Sequence, residues 1–224
     1  MLLEGAQYQH LSSLKTLPQP GGDIAAREPW RMAAGLLHAL NKVDEIEKRF
    51  GESNALLKLL NSHINIPQTS SGGRLFDTAS ALLGVCHINR YEGEAAMLLE
   101  SLVTQPTVSK GGWIIQNNEL SFFPLMQHLL TCDKMTGANI FHGTLIAGLT
   151  DWILQHAKQY KTQIVLLSGG CFLNKTLTEG LLKNLRHHHL TPLIPRQLPP
   201  NDGGLSLGQA WIASAAIPKD HVPK

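Results

Sequence analysis

Apolar residues recur along most of this chain at helical spacing and close into short runs in a few places. Ala33, Leu36, Leu37 and Leu40 form a stripe that predicts an amphipathic helix from about Glu28 to Leu40, with Pro29 in its first turn. The same period predicts helices over Glu52 to Ser62, carrying Leu56, Leu57, Leu59 and Leu60, and over Arg74 to Leu83, carrying Leu75, Ala79, Leu82 and Leu83. Further helices are expected from Glu94 through about Leu102, at Pro124 to Thr131 and at Ala138 to Tyr160. Met1 to Thr16 is weakly patterned, with a strand or extended arm around Tyr8 to Leu17; Asn41 to Gly51 reads as a charged connection or short helix, and His63 to Gln68 as extended. Gly111 to Ile115 and Glu119 to Phe122 resemble a two-stranded insertion.

The pattern changes near the carboxyl end. Ile164 to Leu167 is a continuous apolar run, expected to be a short buried strand, and it breaks at Ser168-Gly169-Gly170 before a helix from Asn174 to Arg186. A second strand at Thr191 to Pro195, a proline-stiffened loop at Arg196 to Pro200 and a helix from Gly203 to Ala216 follow. The last third is therefore expected to be a βαβα unit with parallel strands, in a helix-rich α/β fold without internal repeats. Ser168-Gly169-Gly170 and Asn201-Asp202-Gly203-Gly204 both leave the carboxyl ends of these strands, where α/β folds bind ligands.

These loops hold the candidate chemistry. Paired glycines let backbone N–H groups approach a ligand, and a helix amino terminus favours an anion, so Ser168, Gly169 and Gly170 outline a phosphate cradle. Asn174 either reaches back to the ligand or caps the helix. Asp202 either caps the final helix or faces a metal and phosphate. Gly21 and Gly22 lie in a turn before helical structure, and Asp23 is a helix cap or a ribose acceptor. Ser70 and Ser71 sit at a helix mouth, where capping accounts for them. Cys171 has no histidine at local spacing and is read as filling the turn, and consecutive His187, His188 and His189 lack ligand spacing.

Composition narrows the function further. With 224 residues, 43% of them hydrophobic, the chain can bury a core as one domain or two small lobes. A net charge of +2, with only 16% charged residues scattered in sequence, leaves no electrostatic footprint for nucleic acid. No secretory signal or membrane-length apolar run is found, so the cytoplasm is the expected compartment and no membrane partner is expected. Three widely spaced cysteines suit free thiols and make no zinc motif.

Taken in order, Pro20-Gly21-Gly22-Asp23, Arg27-Glu28-Pro29-Trp30-Arg31, Thr69-Ser70-Ser71-Gly72-Gly73-Arg74-Leu75-Phe76-Asp77, Tyr91-Glu92-Gly93-Glu94-Ala95-Ala96, Phe141-His142, Ser168-Gly169-Gly170-Cys171-Phe172-Leu173-Asn174 and Asn201-Asp202-Gly203-Gly204-Leu205-Ser206-Leu207-Gly208-Gln209 resemble the carboxyl-terminal part of HypF carbamoyltransferases of NiFe-hydrogenase maturation. The resemblance implies an ASKHA-type (actin, hsp70 and sugar-kinase-like) second lobe, similar to the enzymes that make threonylcarbamoyl-adenosine in tRNA. It implies carbamoyl phosphate and ATP as substrates, a carbamoyl-adenylate intermediate, and transfer to the terminal cysteine of a HypE-like partner. That group is then dehydrated to supply cyanide for the iron. By motif it places Ser168, Gly169, Gly170 and Asn174 in the nucleotide phosphate and ribose segment, Gly21, Gly22 and Asp23 in the nucleoside loop, and Asp202 on a divalent metal. Ser70, Ser71 and Glu92 have no firm role in it. The acylphosphatase-like, zinc-finger and YrdC-like parts and the first lobe with its metal-binding histidines have no counterpart in residues 1–224. The expectation is a split or truncated HypF piece, incomplete alone and active only with the missing half supplied upstream or by a separate amino-terminal piece; the alternative is a non-catalytic remnant or interaction module that retains the nucleotide-lobe fold.

Overall fold

The computed structural model describes residues 1–51, 53–62 and 66–216. Glu52, the predicted start of the second helix, and residues 63–65 of the predicted extended segment lie outside them. The weakly patterned amino terminus folds as an antiparallel hairpin of β1 (Leu2–Glu4) and β2 (Gln7–Gln9), followed by the short strands β3 (Ser13–Leu14) and β4 (Leu17–Pro18). Helices α1 (Asp23–Arg27), α2 (Pro29–Ala39), α3 (Val43–Phe50) and α4 (Asn54–Asn61) come next. The charged stretch after α2 is thus helical, with Ile46 fully buried and Phe50 half-buried against Trp30.

Then come β5 (Gln68–Thr69), α5 (Gly72–Leu82), α6 (Glu94–Ser101), β6 (Ile114–Gln116), β7 (Glu119–Ser121), α7 (Phe123–Leu129) and α8 (Lys134–Gln159). The predicted two-stranded insertion forms around Asn117 and Asn118, both at positive φ, and gains β3 as a third strand parallel to β7. Helix α8 starts before Ala138 because the Asp133 carboxylate accepts the N–H groups of Met135 and Thr136, each at 3.0 Å. The chain closes with β8 (Ile164–Leu166), α9 (Lys175–His187), β9 (Thr191–Leu193) and α10 (Leu205–Ala216).

The fold is mixed α/β and helix-rich, and its core is helical. Helix α2 packs on α5 through Met32, Leu36 and Leu37, and Phe76 of α5 meets Phe141 of α8 edge to face at 5.0 Å. Helix α9 lies along α8 with Leu177, Leu181 and Leu185 buried at i, i+4 spacing, and Gly180 presses on Ile146 where a Cβ would clash. This contact fixes the height of the turn that precedes α9.

Strands β8 and β9 pair in parallel, Ile164 opposite Thr191 and Leu166 opposite Leu193. The run at Ile164 to Leu167 is not the buried strand its sequence suggests. Leu167 is 3% exposed, but Ile164 and Leu166 are 62% and 58% exposed. A continuous apolar run suits a sheet covered on both faces, and here only one face, that of Val165, meets the core. Helix α10 follows with Leu205, Leu207, Trp211 and Ile212 all exposed. Among the described residues no helix is long and apolar enough to cross a membrane.

Candidate functional site

The two glycine loops meet. The Gly169 N–H donates to the Pro200 carbonyl at 2.7 Å, and Ser168 Oγ donates to the same oxygen at 3.3 Å. Gly169 sits at φ 115° and ψ 155°, a conformation open essentially to glycine alone, and this bends the chain off β8. A tight 3-10 turn, Gly170–Leu173, follows, closed by Phe172 N–H on the Gly169 carbonyl and Asn174 N–H on the Cys171 carbonyl. The N–H groups of Gly170 and Cys171 have no hydrogen-bond partner among the described residues.

The amino terminus of α9, by contrast, is filled by the protein. Glu100 Oε1 accepts the Thr176 N–H at 2.8 Å and Asn174 Oδ1 accepts the Leu177 N–H, also at 2.8 Å. A carboxylate already answers the helix dipole there, so of the first helical N–H groups only that of Lys175 lacks a partner among the described residues, beside the donors of the glycine turn. Asn174 is itself buried, 7% exposed, with Nδ2 against Nε2 of His142 at 3.2 Å. Of the two roles open to it in the sequence, the structure shows the cap.

On the neighbouring loop the cap is Asn201. Its Oδ1 accepts the Gly203 N–H at 3.1 Å and its carbonyl accepts the Gly204 N–H at 3.1 Å. Asp202 is therefore not the capping residue: it is already the first residue of the 3-10 turn Asp202–Gly204, with Asn201 extended before it. Its carboxylate is exposed and unpaired among the described residues.

The Gly21-Gly22-Asp23 loop leads into α1. Gly22, at φ 62°, takes the N-cap position of α1 without a side-chain cap, and exposed Asp23 is the first helical residue, so the cap reading of Asp23 fails. No hydrogen bond among the described residues joins this loop to the glycine turn. Asn89 links α1 to α5, donating to the Ala26 carbonyl at 3.0 Å and standing 3.5 Å from Asp77 Oδ1. At the head of α5, Gly72 abuts Cys171 Sγ. Ser71 occupies the N-cap position of α5 but its hydroxyl does not cap; instead its N–H donates to Thr69 Oγ1 at 3.2 Å. Ser70 is exposed.

Beneath the turn lies a buried charge pair that sequence reading missed. Asp77, 2% exposed, stands 3.0 Å from Arg74, yet Asp77 Oδ2 and Arg74 Nη1 are not aligned for a hydrogen bond. Burial raises the Asp77 carboxyl to about 6 against the opposing pull of Arg74 and Asn89. Burial also raises the Cys171 thiol, assisted by Asp77, which suits a packed thiol and not a nucleophile. Glu100 was not marked by the sequence, since its partner lies far away along the chain, and His142 was marked only by the Phe141-His142 motif, without a role.

No three His, Cys, Asp or Glu side chains among the described residues gather as a metal site. Asp202 could supply one oxygen ligand, and a hard divalent cation needs several more. A recess of about 350 Å³ between Lys15, Glu119, Phe123 and Gln127 lies on the β6–β7 hairpin and contains none of these site residues.

A family model described as the second subdomain of a Kae1-like carbamoyltransferase domain matches residues 1–209. HypF of Rhizobium leguminosarum bv. viciae is 42% identical over 99% of this chain and 30% of its own length. HypF2 of Cupriavidus necator is 39% identical over 97% and 31%, respectively. The chain belongs to the HypF carbamoyltransferase family and spans about three-tenths of the length of these two relatives. A full-length HypF crystallised in a phosphate- and nucleotide-bound form superposes with a TM-score of 0.80, at 29% identity, over 93% of this chain and 29% of that one. HypF of T. kodakarensis has the same fold, with a TM-score of 0.79 at 24% identity, over 91% of this chain and 29% of that one.

Proposed function

We propose that this chain forms the second, ASKHA-type subdomain of a carbamoyltransferase that uses carbamoyl phosphate and ATP, through a carbamoyl-adenylate, to carbamoylate the carboxyl-terminal cysteine of a HypE-like protein in NiFe-hydrogenase maturation. The junction of the two loops supports this reading most: the Gly169 to Pro200 hydrogen bond puts two unpaired N–H groups, those of Gly170 and Cys171, on a turn beside the loop of the unpaired Asp202 carboxylate. Carbamoyl transfer needs no protein nucleophile. It needs donors aimed at phosphoryl and carbamoyl oxygens and a group that orients them. The two N–H groups and the Ser168 hydroxyl would hold anionic oxygen, and Asp202 would contribute one ligand to a divalent metal, no cluster of three such ligands being present among the described residues. The first lobe, the YrdC-like, zinc-finger and acylphosphatase-like parts, or a separate amino-terminal piece, complete the enzyme.

The chain combined with those parts should carbamoylate a HypE-like thiol in a carbamoyl-phosphate- and ATP-dependent way, and Asp202→Ala should cut the rate at least about a hundredfold with the fold unchanged. Unchanged activity in that variant removes the role of Asp202. A non-catalytic interaction module is the second reading, favoured by the exposed apolar residues of β8 and α10. Partner binding without any nucleotide binding would select it.

A further inference from the structure

Asn174 lies in the segment that the family resemblance gives to the nucleotide, yet its carboxamide is taken up inside the protein. His142, fully buried on α8, holds it there, its ring fixed by edge contacts to Phe76 at 5.7 Å and Phe141 at 5.3 Å. Nδ1 of His142 is 2.9 Å from the Ala138 carbonyl, which can only accept, so Nδ1 carries the proton and Nε2 keeps a lone pair. Asn174 Nδ2 donates to that lone pair at 3.2 Å. The carboxamide can then present only Oδ1 to the Leu177 N–H; a flipped amide would set lone pair against lone pair and N–H against N–H. Through its own N–H on the Cys171 carbonyl, Asn174 also closes the 3-10 turn that carries the unpaired Gly170 and Cys171 donors.

We propose that His142 is a positioning residue for the glycine turn, acting through Asn174, whose cap on α9 and whose own N–H on the Cys171 carbonyl fix this turn. The value of this device to nucleotide binding rests on the function proposed above; the device itself does not. Glu100 of α6 secures the same helix start by accepting the Thr176 N–H, and it is the charged group acting on His142, favouring its protonation. Burial outweighs that and keeps the imidazole neutral.

The full chain tests this with two substitutions of different reach. His142→Gln retains an acceptor near the position of Nε2, whereas His142→Asn does not extend that far. Amide exchange at Leu177, relative to Leu181 deeper in α9, should rise roughly five- to tenfold in His142→Asn and stay within about threefold in His142→Gln. ATP with magnesium should bind about tenfold more weakly to the Asn variant and be restored in the Gln variant. Long-range proton–nitrogen spectra of the unaltered chain should show the Nδ1–H tautomer. An Nε2–H tautomer, or Asn and Gln variants that behave alike, overturns the proposal. Should His142→Asn fail to fold, the tautomer and the exchange of His142→Gln decide it. If the unaltered chain binds no ATP, the nucleotide reading of the lone chain fails, and tautomer and exchange still decide the role of His142.

Discussion

The helical body and the outer elements β8 and α10 of the carboxyl-terminal region use apolar residues in opposite ways. In the body, Met32, Leu36, Leu37, Phe76 and Phe141 are each at most 2% exposed. In the carboxyl-terminal region, Ile164, Leu166, Trp211 and Ile212 are each more than half exposed. The loops bearing Gly169, Gly170 and Asp202 belong to the second region. The difference teaches that the most enclosed apolar packing lies in the body while the glycine and aspartate loops lie beside exposed apolar residues, so substitutions in the body should cost more stability than substitutions at the edge.

The sharpest way to break this contrast is in the body. Phe76→Ala removes a fully enclosed ring packed on Phe141 and His142 and should cost about 3–5 kcal/mol in denaturant unfolding. A loss below about 1 kcal/mol would mean that the body is no better packed than the edge.

Next comes a comparison of two aspartates. Asp202 is exposed at the edge, whereas Asp77 is buried in α5 with its carboxyl raised from 3.8 to about 6. Because the folded state holds this proton more tightly than the unfolded one, the contribution of Asp77 is complete below its ordinary value and is lost as pH rises through about 6. The loss should amount to about 3 kcal/mol across that window and vanish in Asp77→Asn. Unfolding free energies measured from pH 4 to 7 in both proteins check this; parallel curves would assign no such role to Asp77. The smallest effect belongs to the edge. Trp211→Ser should change the stability of the lone chain by no more than about 0.5 kcal/mol, since Trp211 is 72% exposed, and a larger loss in denaturant unfolding would show that α10 is packed after all.

The helices of the body were legible because their partners lie in the same chain: the stripe from Ala33 to Leu37 and the alternation of Leu75, Ala79 and Leu82 describe faces that are in fact covered. The start of α8 was missed although its signal, Asp133 as a capping carboxylate, was present in the sequence. The run at Ile164 to Leu167 was legible as a strand but not in its burial, because burial depends on what lies across the second face. Within the site, Ser168-Gly169-Gly170 and the Asp202 loop were found as motifs, and their adjacency followed from the expected parallel pairing. The distribution of caps was not legible. Asn174, for which the sequence left a cap open as one of two roles, caps α9, and Asn201 rather than Asp202 caps its turn, because each choice depends on neighbours that a local pattern does not contain.

Helix α10 also bears on how the chain melts. A helix of 12 residues whose apolar side chains are exposed draws little support from packing among the described residues, and a segment that short is marginal in isolation. The cooperative unit is therefore the body from α2 to α9, with α10 unravelling at lower temperature as a separate event. A single transition midpoint would describe that body and not the whole chain, and far-ultraviolet circular dichroism would begin to fall before the environment of buried Phe76 and Phe141 changes.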